Sequence, residues 1–188
     1  MSYASTNLPS PFLITINSQA EGRDLEEAIT CNSKALALLP VGHPDRCLSL
    51  VNLANAILDR YNQLGRMEDL DEVIKCLREA LALSPLGHHL HSTCLNNLGA
   101  VLPIRYKQSG QMKDLNEAIA CNREALALNP LDHAKLSNLA TAIRSRYDQL
   151  GKMEDLDETI NYHREALDLC PLGHKNRPMC ISNLASSL

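Results

Sequence analysis

Apolar residues recur every three or four positions along most of this chain, which is the period of one face of an α-helix. The clearest stretch has its apolar positions at Leu70, Val73, Ile74, Leu77, Ala80 and Leu81. Pro85 follows, and because proline cannot continue helical hydrogen bonding, the pattern predicts that this helix ends there. The same frame fits residues 25–38, 115–128 and 156–169. The pattern therefore predicts four equivalent helices.

Each of these helices opens on the same acidic tetrad. The tetrad occupies residues 24–27, 69–72, 114–117 and 155–158, with spacings of 45, 45 and 41 residues. Periods of this size indicate stacked helical units. We interpret the first acid and the Glu three residues later, such as Asp69 and Glu72, as a capping box that starts the helix.

A second predicted helix precedes the internal tetrads. It carries Asn-Leu followed by Ala or Gly at residues 52–54, 97–99, 138–140 and 183–185. In three copies it continues through Arg-Tyr to a Gly, the residue that most often ends a helix. We expect Arg60, Arg105 and Arg146 to form inter-helix salt bridges with a repeated carboxylate, with binding of acidic ligand groups as the alternative. The tyrosines that follow these arginines are expected to pack in the core.

Together these residues resemble the tetratricopeptide repeat (TPR). The packing positions of that motif are occupied here by Leu53, Ala54, Gly65, Val73, Ala80 and Pro85. The long period is similar to that of kinesin light chains and of tandem arrays in basidiomycete fungi, some fused to caspase-like CHAT domains. The resemblance implies an all-α, right-handed αα-superhelical solenoid of about eight helices. It also implies a non-catalytic protein–protein interaction module.

The predicted solenoid spans residues 24–188. Its parts are a half-unit at 24–40, units at 43–85, 88–130 and 133–171, and a half-unit at 174–188. We expect residues 1–23 to be an irregular segment or a degenerate cap, because Pro9 and Pro11 disfavour a regular helix. The two half-units suggest a homo-oligomer formed head to tail. The alternative is a piece of a longer array that regulates a caspase-like protease.

The third unit is shorter than the others. Four residues are missing between Pro130 and Asn138, close to one helical turn, so we expect its first helix to lose about one turn. A local notch is expected at residues 132–135.

The resemblance places the binding site on the concave face lined by the first helices. The candidate residues for a peptide-binding groove are Asn52, Asn55, Asp59, Asn96, Asn97, Asn138, Thr141 and Asn183. An Asn amide there can hydrogen-bond an extended peptide backbone; the alternative is that it packs between helices. A carboxylate clamp is not expected, because no Lys or Arg precedes the repeated Asn. The expected ligand is an internal peptide segment or a helix.

Two kinds of substitution break the repeat pattern. Pro103 lies inside a predicted helix, where it should produce a kink and leave the carbonyl of Gly99 free. We interpret this as a widened groove with an exposed acceptor, or as a tolerated change. Asn32, Asn122 and His163 replace Leu77 on an apolar stripe and are expected to be buried and hydrogen-bonded.

Composition excludes several function classes. With a net charge of −4 and a pI of about 6.0, the chain lacks the excess of positive charge expected of a protein that binds nucleic acid or an anionic membrane surface. Without a spanning apolar stretch or a signal peptide, the cytoplasm is the expected location. Five of the seven cysteines occupy repeat-equivalent positions and the total is odd, which favours reduced thiols packed as small hydrophobes.

Sequence signals for chemistry are weak. There is no Gly-rich phosphate loop and no nucleophile elbow, so neither an enzyme nor a cofactor is predicted. A cluster near the start of one helix could hold a metal: His88, His89, His91 and Cys94. The simpler interpretation is that the repeated histidines at 43, 88, 133 and 174 are residues that start a helix.

Overall fold

A computed structural model describes residues 11–188, with side chains from residue 24 onward. This part of the chain forms eight α-helices joined by short turns. They are α1 (Pro11–Ala37), α2 (Arg46–Leu64), α3 (Met67–Ala82), α4 (His91–Ser109), α5 (Met112–Leu128), α6 (His133–Leu150), α7 (Met153–Asp168) and α8 (Arg177–Ala185). The pairs α2–α3, α4–α5 and α6–α7 are the predicted helical hairpins. None of the helices described is both long enough and apolar enough to cross a bilayer.

The hairpin turns confirm the prediction made from the repeated glycines. Gly65, Gly110 and Gly151 have φ values of 65°, 66° and 64°, the left-handed conformation that an L side chain disfavours. Each glycine amide donates to the carbonyl of the Arg-Tyr tyrosine four residues earlier. The turn thus satisfies a carbonyl that the helix end would otherwise leave unpaired.

One apolar core runs through the stacked helices. It extends from Ile29 in α1 to Ile143 in α6 and is built of leucine, isoleucine, valine, alanine and cysteine. A second, much smaller cluster lies near the C-terminal end, with buried Leu136, Ala166, Cys170 and Cys180. Six of the seven cysteines are buried as expected, whereas Cys31 is exposed.

The capping-box interpretation is wrong. The helix α3 begins at Met67, so Asp69 is its third residue, and the residue before the helix, Arg66, makes no side-chain cap. Asp114 and Asp155 have the same position in α5 and α7. These carboxylates do not cap their helices because each is held instead by an arginine across the turn.

That arginine contact confirms the predicted inter-helix salt bridges. Arg105 donates from Nε and Nη2 to the two carboxylate oxygens of Asp114, at 2.9 and 2.6 Å. The pairs Arg60–Asp69 and Arg146–Asp155 have the same bidentate geometry. Hydrogen bonding to the carboxylate raises the pKa of the Arg105 guanidinium, so this arginine stays charged. Each pair joins the two helices of one unit.

Two expectations about helix boundaries need correction. The helix α1 begins at Pro11, so residues 11–23 are helical, not irregular. Proline is tolerated in a first turn, where its missing N–H has no helical partner. Residues 1–10 lie outside the described part of the chain. In the third unit, α6 has 18 residues against 19 in α2 and α4, so the missing residues come mainly from the preceding turn.

Candidate peptide-binding face

The predicted groove residues lie on α2, α4, α6 and α8, the first helices of successive units. We call this set the asparagine face: Asn52, Asn55, Asp59, Asn96, Asn97, Asn138, Thr141 and Asn183. Its members on α2 and Thr141 are exposed, whereas the four asparagines on α4, α6 and α8 are half-buried. All eight side chains therefore retain some solvent access.

Two amide pairs connect this face from one unit to the next. Asn97 donates from Nδ2 to Oδ1 of Asn55 at 3.5 Å, and Asn138 donates from Nδ2 to Oδ1 of Asn96 at 3.2 Å. Each pair leaves one side-chain carbonyl and one NH2 group with capacity for a further bond. A peptide backbone presents the complementary set, one N–H and one C=O per residue.

A small depression lies between α4 and α6 on this face. It has a volume of about 80 Å³ and is lined by Gly99, Ala100, Pro103, Ile104, Lys107, Asn138 and Thr141. That volume suits a single side chain, not a whole small-molecule ligand. The apolar floor from Pro103 and Ile104, with the Lys107 ammonium at one edge, offers both burial and charge to such a side chain.

A larger depression, of about 640 Å³, lies elsewhere, beside the Gly110 turn. Its lining includes two acidic residues, Glu68 and Asp71, and two basic ones, Arg105 and Lys113. Arg105 is already held by protein carboxylates, since it contacts Asp71 at 3.0 Å as well as Asp114.

The carbonyl freed by Pro103 is not an exposed acceptor, so that expectation is wrong. The oxygen of Gly99 accepts a hydrogen bond from Nδ2 of Asn122 at 3.2 Å. Asn122 is fully buried, as its position on the apolar stripe predicted, and is hydrogen-bonded through Nδ2, whereas its Oδ1 has no partner among the described residues. His163 is also buried, but its Nδ1 has no partner among the described residues, and Asn32 is only half-buried.

The predicted histidine and cysteine cluster is already occupied by protein contacts. His91 bonds the carbonyl of Ser84 through Nδ1 and lies 3.2 Å from Glu124 through Nε2. His88 accepts the amide of Leu90 at Nδ1, which matches the interpretation as a residue that starts a helix. His43 and His174 accept the amide two residues later in the same way.

The structure brings together a different set of possible metal ligands. His133, Cys170 and His174 offer ligand atoms that all lie within 4.8 Å of one another. The sequence contained a signal for this set in the Cys-x-x-x-His segment at 170–174. The repeat pattern did not indicate that the shortened third unit places His133 beside this segment.

Comparison with known proteins identifies the fold. No family model matches the chain, and no curated protein sequence matches it. Among solved structures, the crystal structure of MamA matches over 91% of this chain and 90% of its own, with a TM-score of 0.52 and 16% sequence identity. MamA is a TPR-like helical repeat protein.

The fold is a TPR-like helical repeat. This confirms the all-α solenoid of helix pairs predicted from the sequence. At 16% identity the similarity to MamA shows the fold alone.

Proposed function

We propose that this protein is a non-catalytic interaction module that binds an extended peptide segment of a partner protein across the asparagine face. The observation that supports the proposal best is the pair of inter-unit amide contacts, Asn97 with Asn55 and Asn138 with Asn96. They link four amides of neighbouring units, and each pair leaves one donor and one acceptor open. Amides that are already linked lose less entropy when they bind, which favours recognition.

The depression at Pro103 supplies a site for one side chain of the ligand. Its apolar floor suits an aliphatic group, while Lys107 attracts an acidic residue beside it. Exposed Asp59 lies on α2, at another part of the same face. We therefore propose that the ligand carries an aliphatic residue flanked by an acidic one, with any basic residue nearer to α2. A free C-terminus is not required, since the residues before the repeated asparagines are not cationic.

Selection from a phage-displayed library of linear peptides, with the full chain as bait, tests this proposal. For a selected peptide, Asn138→Ala should weaken affinity about 5- to 10-fold, the effect of losing one or two hydrogen bonds. The matched control is Asn161→Ala, an exposed asparagine on α7. Equal affinities of the two variants would overturn the assignment to this face.

A second candidate function is self-assembly. It is supported by Met179 and Ile181 of α8, whose side chains are 49% and 48% exposed. Exposed apolar groups of this kind favour contacts with another helix face. Light scattering after size exclusion, across a concentration series, separates the two candidates. A mass that stays monomeric favours the peptide-binding module, whereas growth with concentration that Ile181→Glu abolishes favours assembly.

A further inference from the structure

We propose that His133, Cys170, His174 and Cys180 form a zinc site that fastens the last helix to the third unit. The first three offer ligand atoms within 4.8 Å of one another. Cys180 lies outside that group, but its Sγ is 3.6 Å from Sγ of Cys170, and we assign it as the fourth ligand on that contact. Imidazole and thiolate in equal numbers are a donor set that zinc prefers.

One distance already matches a tetrahedral zinc centre. With Zn–N near 2.0 Å and Zn–S near 2.3 Å, ligand atoms lie about 3.3 to 3.8 Å apart. The two sulfurs have such a separation, at 3.6 Å. The two imidazoles are also in contact, with ring centroids 5.2 Å apart in an edge-to-face arrangement. The ligand atoms of His133, Cys170 and His174 lie within 4.8 Å of one another, so their side chains must move closer together to share one ion.

Among the described repeats, this combination of ligands occurs only where the third unit meets α8. At the equivalent positions, residues 84, 88 and 94 are Ser, His and Cys, so one thiol is replaced by a poor zinc ligand. The shortened third unit supplies the other difference. His133 is the first residue of α6, which places it against His174, whereas His43 and His88 precede their helices by three residues.

The surrounding core explains what the ion would contribute. The small C-terminal cluster has four buried members, and two of them are Cys170 and Cys180. The ligands of the proposed zinc ion come from the start of α6, the end of α7, the turn that follows α7, and α8. A metal bound there would join elements that share little apolar contact, as structural zinc does in other small cores.

Metal binding has one structural consequence that can be measured. Nδ1 of His174 accepts the backbone N–H of Asn176 at 3.2 Å, and Nδ2 of the same asparagine lies 2.6 Å from Nε2 of His133. A neutral imidazole bound to zinc through one nitrogen carries its proton on the other, so it cannot also accept that amide. Binding through either nitrogen should therefore release the Asn176 amide.

Zinc and cobalt titration of the untagged, reduced full chain tests the proposal. We expect one zinc ion per chain, and with Co²⁺ a thiolate charge-transfer band together with intense visible bands of a tetrahedral centre. Cys170→Ser, which reproduces the residue at position 84, should weaken zinc binding by more than about 100-fold, beyond the loss of an outer-shell contact. His133→Ala, at a half-buried position, should do the same and shows that the loss does not arise from a damaged core.

The matched controls are His88→Ala and Cys94→Ser, the repeat equivalents of His174 and Cys180. Both should retain the zinc affinity of the unaltered chain. On addition of zinc, the amide resonance of Asn176 should shift while that of Leu90, which donates to His88, should not. The proposal is overturned if the reduced chain binds no zinc, if Cys170→Ser and Cys94→Ser bind equally, or if Co²⁺ gives no thiolate band.

Discussion

Asn122 donates from Nδ2 to the backbone carbonyl of Gly99 at 3.2 Å, which is the carbonyl that Pro103 leaves without its helical amide. Three departures from the repeat are thereby connected. A proline removes a donor, an asparagine at the position equivalent to Leu77 supplies another, and a glycine makes room for it. A Cβ at position 99 would lie only 2.1 Å from Oδ1 of Asn122.

Asn122→Ala should destabilise the protein mainly because Pro103 is present. Without the amide, the buried Gly99 carbonyl has no partner, at a cost of about 1 to 3 kcal/mol. In a Pro103→Ala background the helical N–H returns, so the same change should cost at least about 1 kcal/mol less. Urea denaturation of the four proteins of this cycle measures the coupling, and Asn116→Ala, exposed on the same helix, is the control. Additive effects would contradict the compensation.

Gly99→Ala should be destabilising even though alanine occupies the equivalent positions 54 and 140. The added methyl group would displace the Asn122 side chain, which is fully buried, and break its bond to the carbonyl. Overpacking of this kind costs about 1 to 3 kcal/mol. Asn122→Ala in the same chain should recover part of the loss, because it removes the clash. If the double variant is as unstable as the sum of the two changes, the clash is not the cause.

Breaking an arginine pair across a glycine turn should lower the free energy of unfolding far more than breaking a pair on the surface. Arg105→Met leaves the carboxylate of Asp114, whose side chain is 0% exposed, without its counter-charge. Removal of one partner from such a pair costs about 3 to 5 kcal/mol. Arg78→Met is the matched control. Arg78 also makes a bidentate pair with a carboxylate, that of Glu117, but this pair is exposed to solvent.

The loss for Arg78→Met should stay below about 1 kcal/mol. Thermal and urea unfolding of both variants provide the comparison. Similar losses in the two proteins would show that burial does not distinguish the pairs.

Stability should decline in mild acid because of His163. Burial, with a smaller contribution from Arg144, lowers the pKa of this imidazole in the folded chain. The unfolded chain binds a proton near the ordinary value of about 6.5 while the folded chain does not. The contribution of His163 to the free energy of unfolding is therefore fully present above that pH, and it is lost as the pH falls toward the lower pKa of the folded chain.

His163→Leu, which restores the residue found at position 77, should remove this decline. The free energy of unfolding of both proteins, measured on either side of pH 6.5 or so, tests it. His89→Leu, at an exposed histidine, should leave the decline unchanged. Equal slopes for all three proteins would mean that another group titrates.

The repeat pattern predicted the helices, the glycine turns and the arginine pairs because each depends on local geometry that recurs. It misassigned Asp69 because an acidic residue near a helix start suits both a cap and a salt bridge, and only the fold shows that Arg60 reaches it. The compensation between Asn122 and Gly99 could not be predicted, because the repeat pattern compares each residue with its equivalents in other units and not with its neighbours in space. The histidine and cysteine group was missed for a related reason: only Cys170 and His174 are close in sequence, and His133 is brought beside them by the shortened unit.

Hydrogen exchange of the full chain with and without a selected peptide tests the central claim most directly. If the asparagine face binds the ligand, protection should increase in α4 and α6 around Ala100 and Thr141 and should be lost in Asn138→Ala. The same peptide should leave the exposed surfaces of α5 and α7 unchanged. Protection confined to α5 and α7, or unaltered in Asn138→Ala, would contradict the account.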